Sequence, residues 1–326
     1  MDKTTNMGNI LKTNLSLLTF AIAILLIILF VNLPGNSIFM DEVQNTGHSI
    51  AFGTFAVIIL IIVKKSKFHA QKSPVSPYLF ALVVSVLMGG ATEFIQHFIG
   101  RDAEISDIIR DALGAAAFLS LHFSFWRKTS SGAGRSLKLL VGVFSVIITI
   151  VLFVPLYLNA KNYVERDASF PVICDFGQKW VTQFITLRDC KMKIITAPEK
   201  WNSEFPGHVA HILLNRSQYP GFSIHEPYSN WSGYSYLCFD MYSEMKDTVY
   251  LTLRIDDKHH NNEYNDRYNK TFPVAPGANS YQFSLNDIKS APASRESDMS
   301  SIRSIVIFGY NLNQDIAINL GKIWLE

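Results

Sequence analysis

The strongest constraint on this chain is a series of long apolar segments confined to its first half. Leu15–Asn32, Gly47–Val63, Tyr78–Ile99, Ile105–Trp126 and Leu137–Leu158 each approach or exceed the ~18 apolar residues that suggest a membrane-spanning helix. Hydrocarbon offers no partners to backbone N–H and C=O groups, so such segments must be helical. The first could be a signal peptide, but Val31-Asn32-Leu33-Pro34 is not a small-residue cleavage site and four more spans follow. It reads as a retained anchor. Five transmembrane helices are therefore expected over residues 1–159.

Composition changes sharply after that point. Residues 1–159 hold 12 Lys/Arg and 8 Asp/Glu, whereas residues 160–326 hold 17 and 19. Neither half has the basic stripe of a nucleic-acid binder. The expected organisation is a polytopic helical domain (1–159), a linker (160–169) and a water-exposed domain (170–326).

Short-loop charges set the expected orientation. Lys3 and Lys12 precede the first span, Lys64, Lys65, Lys67 and Lys72 follow the second, and Arg127, Lys128, Arg135 and Lys138 follow the fourth. Arg101 is the sole Lys or Arg in the remaining two loops. This alternation predicts a cytoplasmic N-terminus and an exported C-terminal domain, as in a bacterial cytoplasmic membrane protein. The cysteines, Cys174, Cys190 and Cys238, all lie in that domain. Export would permit a disulfide, with Cys174–Cys190 as one pairing, but spacing does not fix connectivity.

Under this topology seven polar residues fall at one depth: His48, Glu93, Gln96, Arg101, Asp107, Arg110 and Asp111. Ionisable groups at membrane depth are costly and are functional candidates. Glu93 and Gln96 are spaced i, i+3, and Asp107 and Asp111 i, i+4, so each pair shares a helix face. The five-residue loop 100–104 folds their segments into an antiparallel hairpin. Glu93 lies roughly 9 Å inside its span at 1.5 Å per residue. The plainer alternative is structural: Asp107 or Ser106 capping a helix, Arg110 neutralising an aspartate, and the others locking helices together.

These residues carry a resemblance. Glu93-Phe94-Ile95-Gln96, Gly100-Arg101 and Asp107 through Gly114, with His48 upstream, resemble the VanZ-like membrane family over about residues 10–126. Gln44, Asn45 and Asp111 depart from its pattern, which has Asp, Lys and Asn at those places. The resemblance implies a cell-envelope protein. The family's namesake is associated with resistance to the glycopeptide teicoplanin, and other members accompany exopolysaccharide machinery.

The second half shows short alternating strands, the clearest being Tyr236–Tyr242, Val249–Ile255, Tyr281–Leu285, Ser304–Phe308 and Ile316–Trp324. Helix signals shrink to pieces such as Asn286–Ile288. An all-β sandwich is expected. Trp231-Ser232-Gly233-Tyr234, Leu237 to Asp240, Leu253 to Asp257, Asp266 to Asn269 and Pro276-Gly277 resemble the galactose-binding-like jelly rolls found as carbohydrate-binding modules. Trp201, Tyr219, Tyr228, Trp231 and Tyr234 are candidate platforms for sugar rings, with Tyr228 and Trp231 preferred; core packing is the alternative. Asp256, His259 and Arg267 complete the candidate saccharide site. Asp256, Asp257 and Asp266 are candidate Ca²⁺ ligands on a polar loop, a solvated loop paired with Arg267 being the alternative.

No P-loop, G-x-S-x-G, GxGxxG or HExxH motif occurs. The expected partners are membrane lipid or a lipid-linked glycan, carbohydrate, and polysaccharide-assembly proteins, without nucleic acid. Three functions remain open. The protein is a glycan-recognition protein, a membrane hydrolase or transferase using Glu93 or Asp107 as acid–base with a divalent ion such as Mg²⁺, or a scaffold.

Overall fold

In the computed structural model, residues 3–30, 37–65, 75–99, 104–125, 134–202 and 207–326 are described. The chain divides into two compact units, Met1–Ala160 and Lys161–Glu326.

The first unit is helical. Its elements are α1 (Lys3–Phe30), α2 (Ile38–Lys65), α3 (Ser76–Phe98), α4 (Ile105–Phe125) and the start of α5 (Arg135–Ser169). Among the described residues, four helices, α2 to α5, are long and apolar enough to cross a membrane. The first of the five expected spans is not among them: its described apolar stretch, Asn14–Ile28, is shorter, and residues 31–36 lie outside the described set.

The unit is built inside out relative to a water-soluble bundle. Leu87, Phe98 and Leu139 are about two-thirds or more exposed, while His48, Ser49, Ser85, Thr92, Glu93, Gln96 and Asp111 are buried. On α3 the buried set Tyr78, Ala81, Ser85, Gly89, Thr92, Glu93 and Gln96 recurs every three or four residues, one face of a helix. Small residues on such a face let backbones approach. Gly114 on α4 shows how closely: a Cβ there would lie 2.1 Å from the Ser49 carbonyl oxygen of α2. Ser49 Oγ in turn donates to the Arg110 carbonyl oxygen at 3.3 Å.

α2 begins nine residues before the expected span. Ser37 accepts a hydrogen bond from the Met40 backbone N–H through its hydroxyl, stopping the helix upstream. His48 thus lies about three turns inside a helix rather than at its start.

The second unit is an antiparallel β-sandwich. One sheet has the order β3-β4-β11-β6-β9, with β1 also on β11: β1 is Val172–Cys174, β3 Cys190–Thr196, β4 His208–Leu214, β6 Tyr236–Ser243, β9 Gly277–Ser284 and β11 Ile316–Leu325. The other has the order β2-β5-β10-β7-β8: β2 is Ile185–Arg188, β5 Gly221–His225, β7 Val249–Asp257, β8 Tyr268–Val274 and β10 Ile302–Phe308. Alternation sorts the side chains, as on β7, where Val249, Leu251, Leu253 and Ile255 are buried and Tyr250 is exposed. Two short helices, α6 (Glu199–Asn202) and α7 (Leu285–Lys289), punctuate the strands.

The segment 160–169, expected to be a linker, is instead the end of α5. Its residues pack within the sandwich unit. The Tyr163 hydroxyl donates to Glu226, Arg166 Nη1 donates to the Glu226 carbonyl at 2.7 Å, and the Tyr163 ring lies 5.1 Å from that of Phe184. The three cysteines are free thiols. Cys190 Sγ donates to the Gly221 carbonyl at 3.0 Å, and burial pushes the Cys174 and Cys238 thiols upward, the latter to about 11.

Candidate functional sites

The helical unit brings most of its predicted polar residues together. α2 supplies His48, the last turns of α3 supply Glu93 and Gln96, and the first turns of α4 supply Asp107, Arg110 and Asp111. One ligand atom each from His48, Glu93 and Asp107 lie within 4.8 Å of one another. His48 Nδ1 stands 3.6 Å from Asp111 Oδ1, an ion-pair separation rather than a hydrogen bond. Arg110 Nη1 reaches Asp107 Oδ1 at 2.6 Å, so the neutralising pair expected as the plainer alternative does form. Glu93 Oε2 accepts the Glu104 backbone N–H at 3.0 Å, bridging the α3–α4 hairpin. Gln96 turns away and donates to the Ile28 carbonyl of α1 at 3.4 Å. Arg101 lies outside the described residues.

Several atoms of this cluster lack partners. His48 Nδ1, Glu93 Oε1 and both Asp111 carboxylate oxygens are buried without a hydrogen bond. Such groups are uncommon, because burying an unpaired polar atom costs about 1–3 kcal/mol.

The sandwich unit carries a groove of about 650 Å³ across its five-stranded sheet. Strand register builds its floor. One row runs Arg188, Gly221, Phe308, Thr252, Thr271; the next runs Ser223, Val306, Arg254, Asn269. Residues two apart along a strand face the same way, so both rows share the outer face. Gly221 is required there, since a Cβ would lie 2.5 Å from both the Ile307 carbonyl oxygen and Phe308 Cβ.

Aromatic and cationic groups line the groove. Tyr219, Tyr264 and Tyr310 are 37%, 68% and 58% exposed, and the Tyr219 and Tyr310 rings lie 5.4 Å apart. Arg188 sits over the Tyr219 ring and Arg267 over the Tyr264 ring, with guanidinium carbons 5.8 and 5.7 Å from the centroids. Arg188, Arg254 and Arg267 line the groove and no carboxylate does, although Arg254 is paired with the buried Asp256 at 3.0 Å. Burial, then the charge of Arg254, hold the Arg267 guanidinium below its ordinary value, and its Nε is buried without a hydrogen bond.

Of the residues singled out for sugar binding, Arg267 and Tyr219 line this groove. Trp231 does not: it is fully buried, with Nε1 donating to the Tyr228 carbonyl at 2.7 Å. Tyr228 packs on Phe170 at 4.2 Å, Tyr234 lies 5.2 Å from the same ring, and Trp201 is buried against Tyr242. Asp256 is buried, held by Arg254 Nε at 3.0 Å and Ser304 Oγ at 2.9 Å. His259 is exposed on its loop, 3.7 Å from Asp298.

The expected Ca²⁺ loop is corrected by a residue the sequence reading missed. The Arg295 guanidinium lies between Asp257 and Asp266. Its Nη1 and Nη2 reach Asp257 at 2.5 and 2.8 Å, and its Nε reaches Asp266 at 2.6 Å. A planar fork suits paired carboxylates and takes the oxygens a cation would need. Arg295 holds Asp266 down to about 2. Burial alone would raise Asp257, but Arg295 and the Asp298 backbone N–H outweigh it and lower that group as well.

No family model matches the chain, so its VanZ-like resemblance stands on the quoted residues alone. No curated protein matches it. Among solved structures, its C-terminal part is similar to a family 11 carbohydrate-binding module from Clostridium thermocellum, in complex with a β-1,3-1,4-mixed-linked tetrasaccharide. That match has 15% identity and a TM-score of 0.38, covering 47% of this chain and 93% of that one. An exo-β-agarase matches at 14% identity and a TM-score of 0.38, over 48% and 25%. The CBM22-1 xylan-binding domain of Paenibacillus barcinonensis Xyn10C matches at 11% and 0.33, over 47% and 94%.

Proposed function

We propose that this is a bacterial cell-envelope membrane protein whose exported sandwich binds an acidic saccharide chain. The groove over the five-stranded sheet carries the reading. Exposed tyrosines offer faces to sugar rings, while Arg188 and Arg267, with no acidic residue in the lining, suit carboxylate or phosphate substituents. The helical unit anchors the protein with its N-terminus in the cytoplasm, as the loop lysines and arginines favour. The VanZ-like residues support a role with a lipid-linked or surface glycan, in exopolysaccharide production or glycopeptide resistance.

The test is saccharide binding by the full chain in detergent micelles, comparing alginate and polygalacturonate with neutral dextran and xylan. The acidic chains should bind preferentially. Arg188→Ala and Arg267→Ala should each cost about 1.5–3 kcal/mol, the usual worth of a charged hydrogen bond. Equal retention of neutral chains would sink the acidic reading; no retention at all would favour a scaffold for polysaccharide-assembly proteins.

A second reading, a membrane hydrolase or transferase acting on a lipid-linked glycan, is favoured by the buried, unpartnered Glu93 Oε1. There Glu93 or Asp107 would exchange the proton with His48 assisting. Turnover of a lipid-linked saccharide, lost in Glu93→Gln while binding persists, would distinguish it.

A further inference from the structure

We propose that His48, Glu93 and Asp107 form a binding site for one divalent first-row cation, Zn²⁺ or Mn²⁺. Three elements, α2, α3 and α4, each contribute one ligand, and the ligand atoms already lie within 4.8 Å of one another. A cation bonded at roughly 2.0–2.2 Å holds neighbouring ligands about 3–3.4 Å apart, so modest side-chain adjustment completes the site.

Independent observations point to a ligand. His48 and Glu93 are 5% and 4% exposed, yet His48 Nδ1 and Glu93 Oε1 have no hydrogen-bond partner. Two of the ligands are also steadied from elsewhere, as metal ligands usually are. The Glu104 N–H holds Glu93 through Oε2, and Arg110 holds Asp107 through Oδ1. Among the described residues, three carboxylates (Glu93, Asp107, Asp111) face one guanidinium (Arg110) and one imidazole. Metal ligation requires ionised carboxylates and a neutral imidazole, and in that bound state a divalent cation would balance the excess of two negative charges. Uncompensated buried charge is otherwise costly.

Ligand chemistry narrows the ion. An imidazole nitrogen with two carboxylates suits Zn²⁺ or Mn²⁺ better than the all-oxygen shells of Ca²⁺ and Mg²⁺. Three protein ligands leave coordination room for water or an anionic oxygen. Asp107 and Arg110 are partly exposed, so that position has an approach from outside.

The experiment uses the full chain in detergent micelles, stripped with a chelator and dialysed against ZnCl₂, MnCl₂ or MgCl₂ alone. Zn²⁺ or Mn²⁺ should bind at one ion per chain, with Mg²⁺ much weaker. Glu93→Gln and Asp107→Asn should each weaken binding at least tenfold, while Asp41→Asn and His259→Ala leave it unchanged. Asp107 is the less buried ligand, so Asp107→Asn decides the matter if Glu93→Gln is not monodisperse. The proposal is overturned by the absence of stoichiometric binding, by unchanged affinity in a monodisperse Asp107→Asn variant, or by loss of the ion in His259→Ala.

Discussion

The close approach of α2 and α4 makes Gly114 the most informative single position in the helical unit. A methyl group there would be placed 2.1 Å from the Ser49 carbonyl oxygen and 2.8 Å from Ser49 Cα. Carbon–oxygen contacts normally settle near 3.3–3.6 Å, so Gly114→Ala must part the helices by roughly 1.2 Å. Overpacking typically costs 1–3 kcal/mol, and here the obstacle is backbone, which places the cost near 3. Parting the helices also breaks the Ser49–Arg110 hydrogen bond, worth about 0.6 kcal/mol more. Gly90→Ala is the matched control, because a Cβ there meets nothing within 4 Å. That change should be neutral or gain up to about 1 kcal/mol from helix propensity. Unfolding in mixed micelles of sodium dodecyl sulfate and dodecylmaltoside, followed by circular dichroism at a helical wavelength, should separate the two variants by about 4 kcal/mol. Equal stabilities would refute the interlock between these helices.

Three further outcomes concern the sandwich unit. Arg295→Met leaves the fully buried Asp257 carboxylate uncompensated and should cost about 3 kcal/mol, the low end for breaking a buried pair because Arg295 is 26% exposed; for a unit of this size the melting midpoint should fall roughly 6–12 °C in calorimetry. Arg295 holds Asp266, and Ser300 with Ser301 holds Asp298, each at about 2; the stabilisation these groups give is present above the ordinary carboxylate value near 4 and lost as pH falls through 2, so the midpoint should drop across that window and stay flat if these bonds are absent. The three thiols are free, and Cys190 is the least buried, so a maleimide should modify Cys190 first and all three after denaturation; a mobility shift on non-reducing gels would contradict this.

Local pattern in the sequence carried much of this architecture. Uninterrupted apolar runs marked the helices, and the short loop between α3 and α4 was enough to bring Glu93 toward Asp107. Alternation marked β6, β7 and β11 nearly to their ends. What escaped depended on distant pairings. Arg295 lies 38 residues from Asp257, with no spacing to announce the bond. The groove floor needs the register of β2, β5, β10, β7 and β8 together, so Arg188, Tyr264 and Tyr310 carried no local signal. Trp231 misled because a tryptophan between turn residues resembles an exposed platform, whereas its indole is buried and its N–H satisfied by Tyr228. The start of α2 was missed because Asp41, Glu42 and Asn45 break the apolar run although they continue the helix.

The last turns of α5 belong to the sandwich by their contacts, and this decides where a water-soluble piece of the protein has to begin. A fragment starting at residue 170 has every strand yet discards Tyr163 and Arg166, removing two hydrogen bonds to Glu226 and uncovering the ring of Phe184. A fragment starting at 161 retains them and leaves behind the apolar run that ends at Leu158. The useful cut therefore falls inside a continuous helix, where a boundary drawn from secondary structure would not be placed.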